Sequence, residues 1–209
     1  MTAISTHRRA VLALRLKGAL MSTISPIDPA TATGEAADLL AQVQKTLGLT
    51  PNMTKVMANS PALLKGYLAL SGALAGGTIP AGVREQLAIA TAEINGCEYC
   101  LSAHTYIGAN IAKVDADELE NARHAESRDA HTAALLALTD AITRSRGDLG
   151  EAELAKARAA GVTDAEIGEV VGHISLNVLT NLLQRARRRR ERLAGRCAAR
   201  PRLTETRHV

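Results

Sequence analysis

Between Gly34 and Gln184 apolar residues recur at three- and four-residue spacing, and glycines and prolines cut the run into pieces of helix length. The stretch over 34–48 reads G-E-A-A-D-L-L-A-Q-V-Q-K-T-L-G and stops at a glycine. Pro51 and Pro61 punctuate two further helices, the second being A-L-L-K-G-Y-L-A-L-S-G-A-L before Gly76-Gly77. Pro80 is expected at the first position of the next helix, with Val83, Leu87, Ala90 and Ile94 forming one stripe toward the core. A short helical piece near 115–122 follows, then a longer one ending at Gly147 and a charged one ending at Gly161. Thr163-Asp164-Ala165-Glu166 has the pattern of a capping box and opens the last strong helix, E-I-G-E-V-V-G-H-I-S-L-N-V-L-T-N-L-L. No segment reads as a strand, so the expected fold class is all-α, a bundle of about eight helices.

The interior has to be built from small and aliphatic side chains, because the chain has no Phe, no Trp and only three Tyr. Alanine and leucine favour helices and let them approach closely, whereas a sheet would want β-branched and aromatic residues. A core of this kind gains burial through self-association, so a homo-oligomer is expected. At 209 residues one domain with tails is expected: a basic, flexible extension over 1–29, a helical domain over 30–184 and an arginine-rich tail over 185–209. The first 20 residues read as an upstream extension ahead of Met21, since Arg15 and Lys17 break the apolar run a targeting peptide would need. The net charge of +4 sits at the two ends, so a folded basic surface for nucleic acid is not expected. No apolar run approaches the roughly 20 residues of a membrane-spanning helix, so no membrane partner is expected.

Chemistry concentrates in R-E-Q-L-A-I-A-T-A-E-I-N-G-C-E-Y-C-L-S-A-H-T-Y-I-G-A-N, residues 84–110. Asn95-Gly96 stops one helix and places Cys97 and Cys100 at the start of the next. On that helix Cys100 and His104 are one turn apart, so their side chains can meet, and Cys97 is near enough to Cys100 for a disulfide. A helix N-terminus lowers a thiol pKa, chiefly that of Cys97, and His104 can serve Cys100 as a base or as an imidazolium. Oxidation of one sulfur to a sulfenic acid lets the other condense with it. Glu85, twelve residues before Cys97, is placed to orient His104 or a bridging water. Three cysteines, with Cys197 alone near the C-terminus, suit a reducing, cytoplasmic setting rather than a secreted disulfide framework.

Competing readings carry their own expectations. Zinc would need a fourth ligand beyond Cys97, Cys100 and His104, with Glu93 the one available, so neither a metal nor another cofactor is expected. Leu101 stands where a c-type haem needs histidine. A competing reading has the cysteines serve only as core, as buried cysteines often do. His173 reads as a satisfied core histidine that can line the site, His124 and His131 as exposed, Glu93 and Glu98 as solvated or capping. Tyr67, Tyr99 and Tyr106 are candidates for shaping a pocket.

The pattern E-x11-C-x-x-C-x3-H, set in I-N-G-C-E-Y-C-L-S-A-H, resembles the carboxymuconolactone decarboxylase superfamily, and within it the AhpD-like alkylhydroperoxidase branch with its peroxidase-related subgroup. The closing helix I-G-E-V-V-G-H-I-S-L-N-V-L-T-N is similar to that subgroup, and the likeness covers roughly 30–184. The resemblance implies an AhpD-like helical fold in trimers or hexamers and a thiol-dependent peroxidase. Its substrate would be a hydroperoxide and its reductant a dithiol or lipoyl-type carrier. It implies Cys100 as the peroxidatic cysteine, Cys97 as the resolving one, His104 as proton relay and Glu85 behind it. Tyr99 stands where AhpD-type enzymes often carry histidine, and the arginine-rich end departs from the family's apolar, aromatic one. Two alternatives stay open: a non-catalytic redox sensor or interaction protein, and a cofactor-free decarboxylase-type enzyme using Glu85 and His104.

Overall fold

The computed structural model describes residues 24–187, which contain nine α-helices and no strand. In chain order these are α1 (Gly34–Leu47), α2 (Asn52–Met57), α3 (Pro61–Ala75), α4 (Ala81–Ile94), α5 (Glu98–Asn110), α6 (Ala116–Arg123), α7 (Ala130–Ser145), α8 (Glu151–Ala159) and α9 (Asp164–Arg187). All-α architecture is therefore observed. Cys197 and most of the two basic ends lie outside the described residues. Pro26–Gln184 form one unit.

α4 is the axis of this unit and packs against α5, α6 and α7. The sequence pattern predicts one apolar stripe on it, yet every residue from Gln86 to Ala92 is buried. Alanines at 88, 90 and 92 make this possible, because neighbours close in on all sides of a helix that presents so little bulk. The two polar residues in the buried run are bonded: Thr91 Oγ1 donates to the Leu87 carbonyl at 2.8 Å, and Gln86 Nε2 reaches Glu118 at 3.4 Å. The main core joins α4 to α7 and α9 through Leu87, Ile89, Leu135, Leu136, Val170 and Ile174. A second cluster, built on Leu40, Met57 and Leu64, holds α1, α2 and α3 together, and Ile27 packs on it.

Caps and loop ties fix the register of these helices. Thr163 and Glu166 form the expected capping box: the Thr163 amide donates to Glu166 Oε2 at 2.8 Å, and the Glu166 amide donates to Thr163 Oγ1 at 3.2 Å. Pro80 sits one position before α4 rather than inside it, with an extended ψ of 152°. The turn it belongs to is tied to α9 by Glu169, which accepts from the amides of Thr78 and Ile79 at 2.8 and 3.0 Å. Those donors, the Thr78 amide foremost, hold the Glu169 carboxyl below its ordinary range.

Candidate functional site

The site begins at the junction of α4 and α5, where Asn95-Gly96 does more than stop a helix. Gly96 takes φ +61°, its amide donates to the Glu93 carbonyl, and the Cys97 amide donates to the Ala92 carbonyl at 2.9 Å. This is a Schellman ending, which needs a left-handed residue at that point and so selects glycine. Cys97 is thus bonded through its backbone to the end of α4 and is also the N-cap of α5, where its sulfur accepts from the Cys100 amide at 3.4 Å. One residue ends one helix and starts the next.

Cys97 and Cys100 are joined as a disulfide, with Cα atoms 5.3 Å apart. Both are buried and pack with Ala92 and Leu101. One turn further along α5, His104 Nδ1 lies 2.8 Å from Glu85 Oε2 of α4. The pair is neither sealed nor open, with side chains 24% and 20% exposed. A carboxylate can only accept, so Nδ1 carries the proton, and in the neutral ring Nε2 keeps its lone pair. Gly108 makes the approach of α5 possible: a Cβ there would stand 2.6 Å from a Leu119 methyl and 3.6 Å from Glu85 Cβ.

Glu85 and His104 also form part of the wall of a cavity of about 600 Å³ between the α1–α3 cluster and α4, α5 and α9. Tyr67, Leu68, Arg84, His173, Leu176 and Asn177 contribute to the same wall. The cysteines are not among its lining residues; Cys100 lies one turn before His104 on α5 and Cys97 caps that helix. Tyr67 has its hydroxyl pKa pushed up by burial and, second, by the Glu85 carboxylate, so it remains a hydrogen-bond donor.

His173 departs from the sequence expectation of a satisfied core histidine. It is buried, 4% exposed, and its Nε2 has no hydrogen-bond partner among the described residues. Leaving such an atom unpaired costs roughly 1–3 kcal/mol. Burial, and after it the charge of Arg84, pull its pKa down against the opposing pull of Glu169 and Glu85. His131, expected as exposed, is instead bonded to Glu166 Oε1 through Nε2 at 2.7 Å and ties α7 to α9. His124 is exposed, its side chain 66% accessible. Glu93 accepts from Arg123 Nε at 2.9 Å and links α4 to α6. Among the described residues, no group of three or more His, Cys, Asp or Glu is placed to hold a metal ion, and no helix is long and apolar enough to cross a membrane.

The cysteine pair and the Glu85–His104 pair expected from the sequence are each brought together in the structure. Arg84 was not expected in the wall, and His173 was expected as a satisfied core histidine that can line the site. The usable signal for His173 was its place in an apolar helix with Asn177 one turn further on, a polar line on an otherwise apolar face.

Residues 61–142 match the carboxymuconolactone decarboxylase family. Over 83 residues the chain is 31% identical to the alkyl hydroperoxide reductase Rv2159c of Mycobacterium tuberculosis, a match covering 39% of this chain and 24% of that protein. The chain therefore matches about a quarter of that relative's length. Its fold is similar to the AhpD core of a peroxidase-related protein from Ralstonia eutropha JMP134, with a TM-score of 0.67 and 23% identity over 87% of this chain and 92% of that one. It is also similar to the debrominase Bmp8, solved with 2,3,4-tribromopyrrole, with a TM-score of 0.66 and 18% identity over 80% and 90% of the two chains.

Proposed function

We infer that this chain, whose residues 61–142 match the carboxymuconolactone decarboxylase family, is a thiol-dependent peroxidase that reduces hydroperoxides by making and breaking the Cys97–Cys100 bond. The observation that carries the reading is the disulfide at the head of α5, one turn from an imidazole bonded to a carboxylate. In the reduced protein both sulfurs would sit in the first turn of α5, where the partial positive charge of the helix end favours a thiolate. The Cys100 thiolate attacks the terminal oxygen of the hydroperoxide and the O–O bond breaks. The alkoxide leaves as an alcohol on taking a proton delivered through His104, and Cys100 becomes a sulfenic acid. Cys97 then attacks the Cys100 sulfur and hydroxide departs as water once protonated, which closes the disulfide. A dithiol or lipoyl-type reductant supplies two electrons and two protons to restore the thiols. Glu85 holds His104 in the tautomer whose Nε2 accepts and returns protons.

The same reading takes the protein as cytoplasmic and as a trimer or hexamer. Exposed apolar side chains at Leu47, Tyr106, Ile111 and Leu182 support self-association. The test is turnover of cumene hydroperoxide with dihydrolipoamide as reductant. Wild type is expected to turn over, and Cys100→Ser to fall to the uncatalysed background. Turnover that persists in Cys100→Ser would rule the reading out.

A second reading is favoured by one observation: the cavity is walled by Glu85 and His104 and not by the sulfurs. A cofactor-free acid–base enzyme of the same superfamily would use that pair alone. Its activity would survive alkylation of both thiols in the reduced protein, whereas the peroxidase would lose activity completely.

A further inference from the structure

Asn181 lies in α9 with no exposed surface, yet its side chain is an amide. Its Oδ1 accepts from Asn95 Nδ2 at 2.9 Å, while its own Nδ2 has no hydrogen-bond partner among the described residues. An unpaired buried donor is a cost, and a leucine of similar size would avoid it. The bond to Asn95 is therefore what the amide supplies that an apolar side chain would not. Asn95 is the C-cap of α4, one residue before Gly96 and two before Cys97. The bond joins residues 86 apart in the chain and fixes the turn between α4 and α5 to a helix outside both. Burial spares it the competition with water that weakens the tie from Glu93 to Arg123, whose side chains are 39% and 37% exposed. Thr180 is in the cavity wall and Asn181 is not, since one residue turns a helix by about 100°.

We propose that Asn181 is a positioning residue for the thiol–disulfide step: through Asn95 it holds the α4–α5 turn in the form that sets the Cys97 sulfur against Cys100. The proposal rests on the reading that this bond is made and broken in function, and it adds a residue that acts from outside the site. Reduction adds two electrons and two protons to the sulfurs and leaves two thiols with no covalent link. What then keeps them together is the backbone around Cys97. Its amide donates to the Ala92 carbonyl at 2.9 Å, its sulfur accepts from the Cys100 amide, and the turn before it is held by Asn181. The equilibrium between dithiol and disulfide measures the effective concentration of one thiol at the other. A turn held from α9 raises that concentration, because fewer of its arrangements part the sulfurs. Freed from Asn181, the turn gains such arrangements in the dithiol form, where no covalent link forbids them, and the disulfide becomes easier to reduce.

The test equilibrates the full chain with mixtures of reduced and oxidised dithiothreitol and reads the state of Cys97 and Cys100 by alkylation and peptide mass. Dithiothreitol gives up two electrons and two protons and closes to its own cyclic disulfide, so the exchange balances without peroxide. Asn181→Leu is expected to shift the equilibrium about fivefold toward the dithiol, the size of one lost hydrogen bond. The melting temperature of its disulfide form is expected to stay within a few degrees of wild type, since the unpaired amide donor is lost with the bond. Asn95→Ala removes the same bond from its half-buried end and is expected to give the same shift, so the test stands even where Asn181→Leu fails to fold. The double variant is expected to shift no further than either single one, because both act through one bond. An equilibrium within twofold of wild type in either folded single variant, or shifts that add in the double variant, overturns the proposal. So does a wild-type pair that oxidised dithiothreitol does not close. An Asn181-dependent equilibrium in a chain that turns over no hydroperoxide would refute the peroxidase reading and uphold the positioning role.

Discussion

Glu85 and His104 illustrate what a single hydrogen bond decides at this site. Nδ1 of the ring lies 2.8 Å from the carboxylate, which sets the tautomer and aims Nε2. Replacing Glu85 by Gln keeps the shape and lets the ring choose either tautomer, so kcat/KM for peroxide is expected to fall roughly tenfold to a hundredfold, while the melting temperature changes little. An activity within twofold of wild type would remove Glu85 from the proton path. Cys97→Ser isolates the other half of the chemistry. With no resolving sulfur, the Cys100 sulfenic acid should accumulate and be trapped by dimedone, seen as one adduct per chain in an intact mass spectrum. At this scale the sequence was most readable where spacing along one helix sets the contact, as for Cys97, Cys100 and His104. Glu85 stood out by its place twelve residues before Cys97, and the resemblance pointed to it as well. His173 was not, because its unpaired nitrogen is a property of what surrounds it, and its neighbours Arg84 and Tyr67 come from other helices.

The helices are positioned by their ends. Gly96 at φ +61° carries the Schellman turn that pins Cys97, and a side chain there meets the penalty of the left-handed region. Gly96→Ala is expected to cost about 1 kcal/mol in denaturant unfolding, with a slower disulfide closure because Cys97 is no longer held at the α5 terminus. Glu118 is the other hub. Its carboxyl is lowered to about 2, first by the Ser127 hydroxyl, with Arg128 and Asn121 adding to this against the opposing effect of burial. A carboxyl depressed in the folded state stabilises the protein above its unfolded value of about 4.3, and that contribution is lost as pH falls toward 2. Melting temperatures at pH 6 and pH 3 should therefore separate by a few degrees more in wild type than in Glu118→Gln. Equal separations would show that Glu118 does not couple the α6–α7 turn to stability. The capping box and the Asn95-Gly96 stop were legible because both are local chemistry. The burial of every residue from Gln86 to Ala92 was not, since the centre of α4 reads as one stripe until the neighbours that cover its other faces are known.

For the molecule as a whole, an interior without Phe or Trp explains both the fold class and its tight packing around α4. Helix order was legible from Gly and Pro punctuation, and the expected number of about eight falls one short of the nine among the described residues. The cavity was not, because six separate helices supply its wall and no stretch of sequence contains it. Tyr106 and Ile111, 65% and 69% exposed near the end of α5, mark the surface expected to be covered by another copy of the chain. Sedimentation equilibrium is expected to give a trimer or hexamer, and a monomer at micromolar concentration would remove self-association from the account. The most direct measurement is a mass-resolved count of free thiols in the reduced protein before and after one equivalent of peroxide, repeated for Cys97→Ser and Cys100→Ser. The account predicts that wild type loses two thiols as one internal disulfide between Cys97 and Cys100, that Cys97→Ser gains a single oxygen on Cys100, and that Cys100→Ser reacts at no more than the rate of a free thiol. A wild-type chain that keeps both thiols, or a Cys100→Ser variant oxidised as fast as wild type, would contradict it.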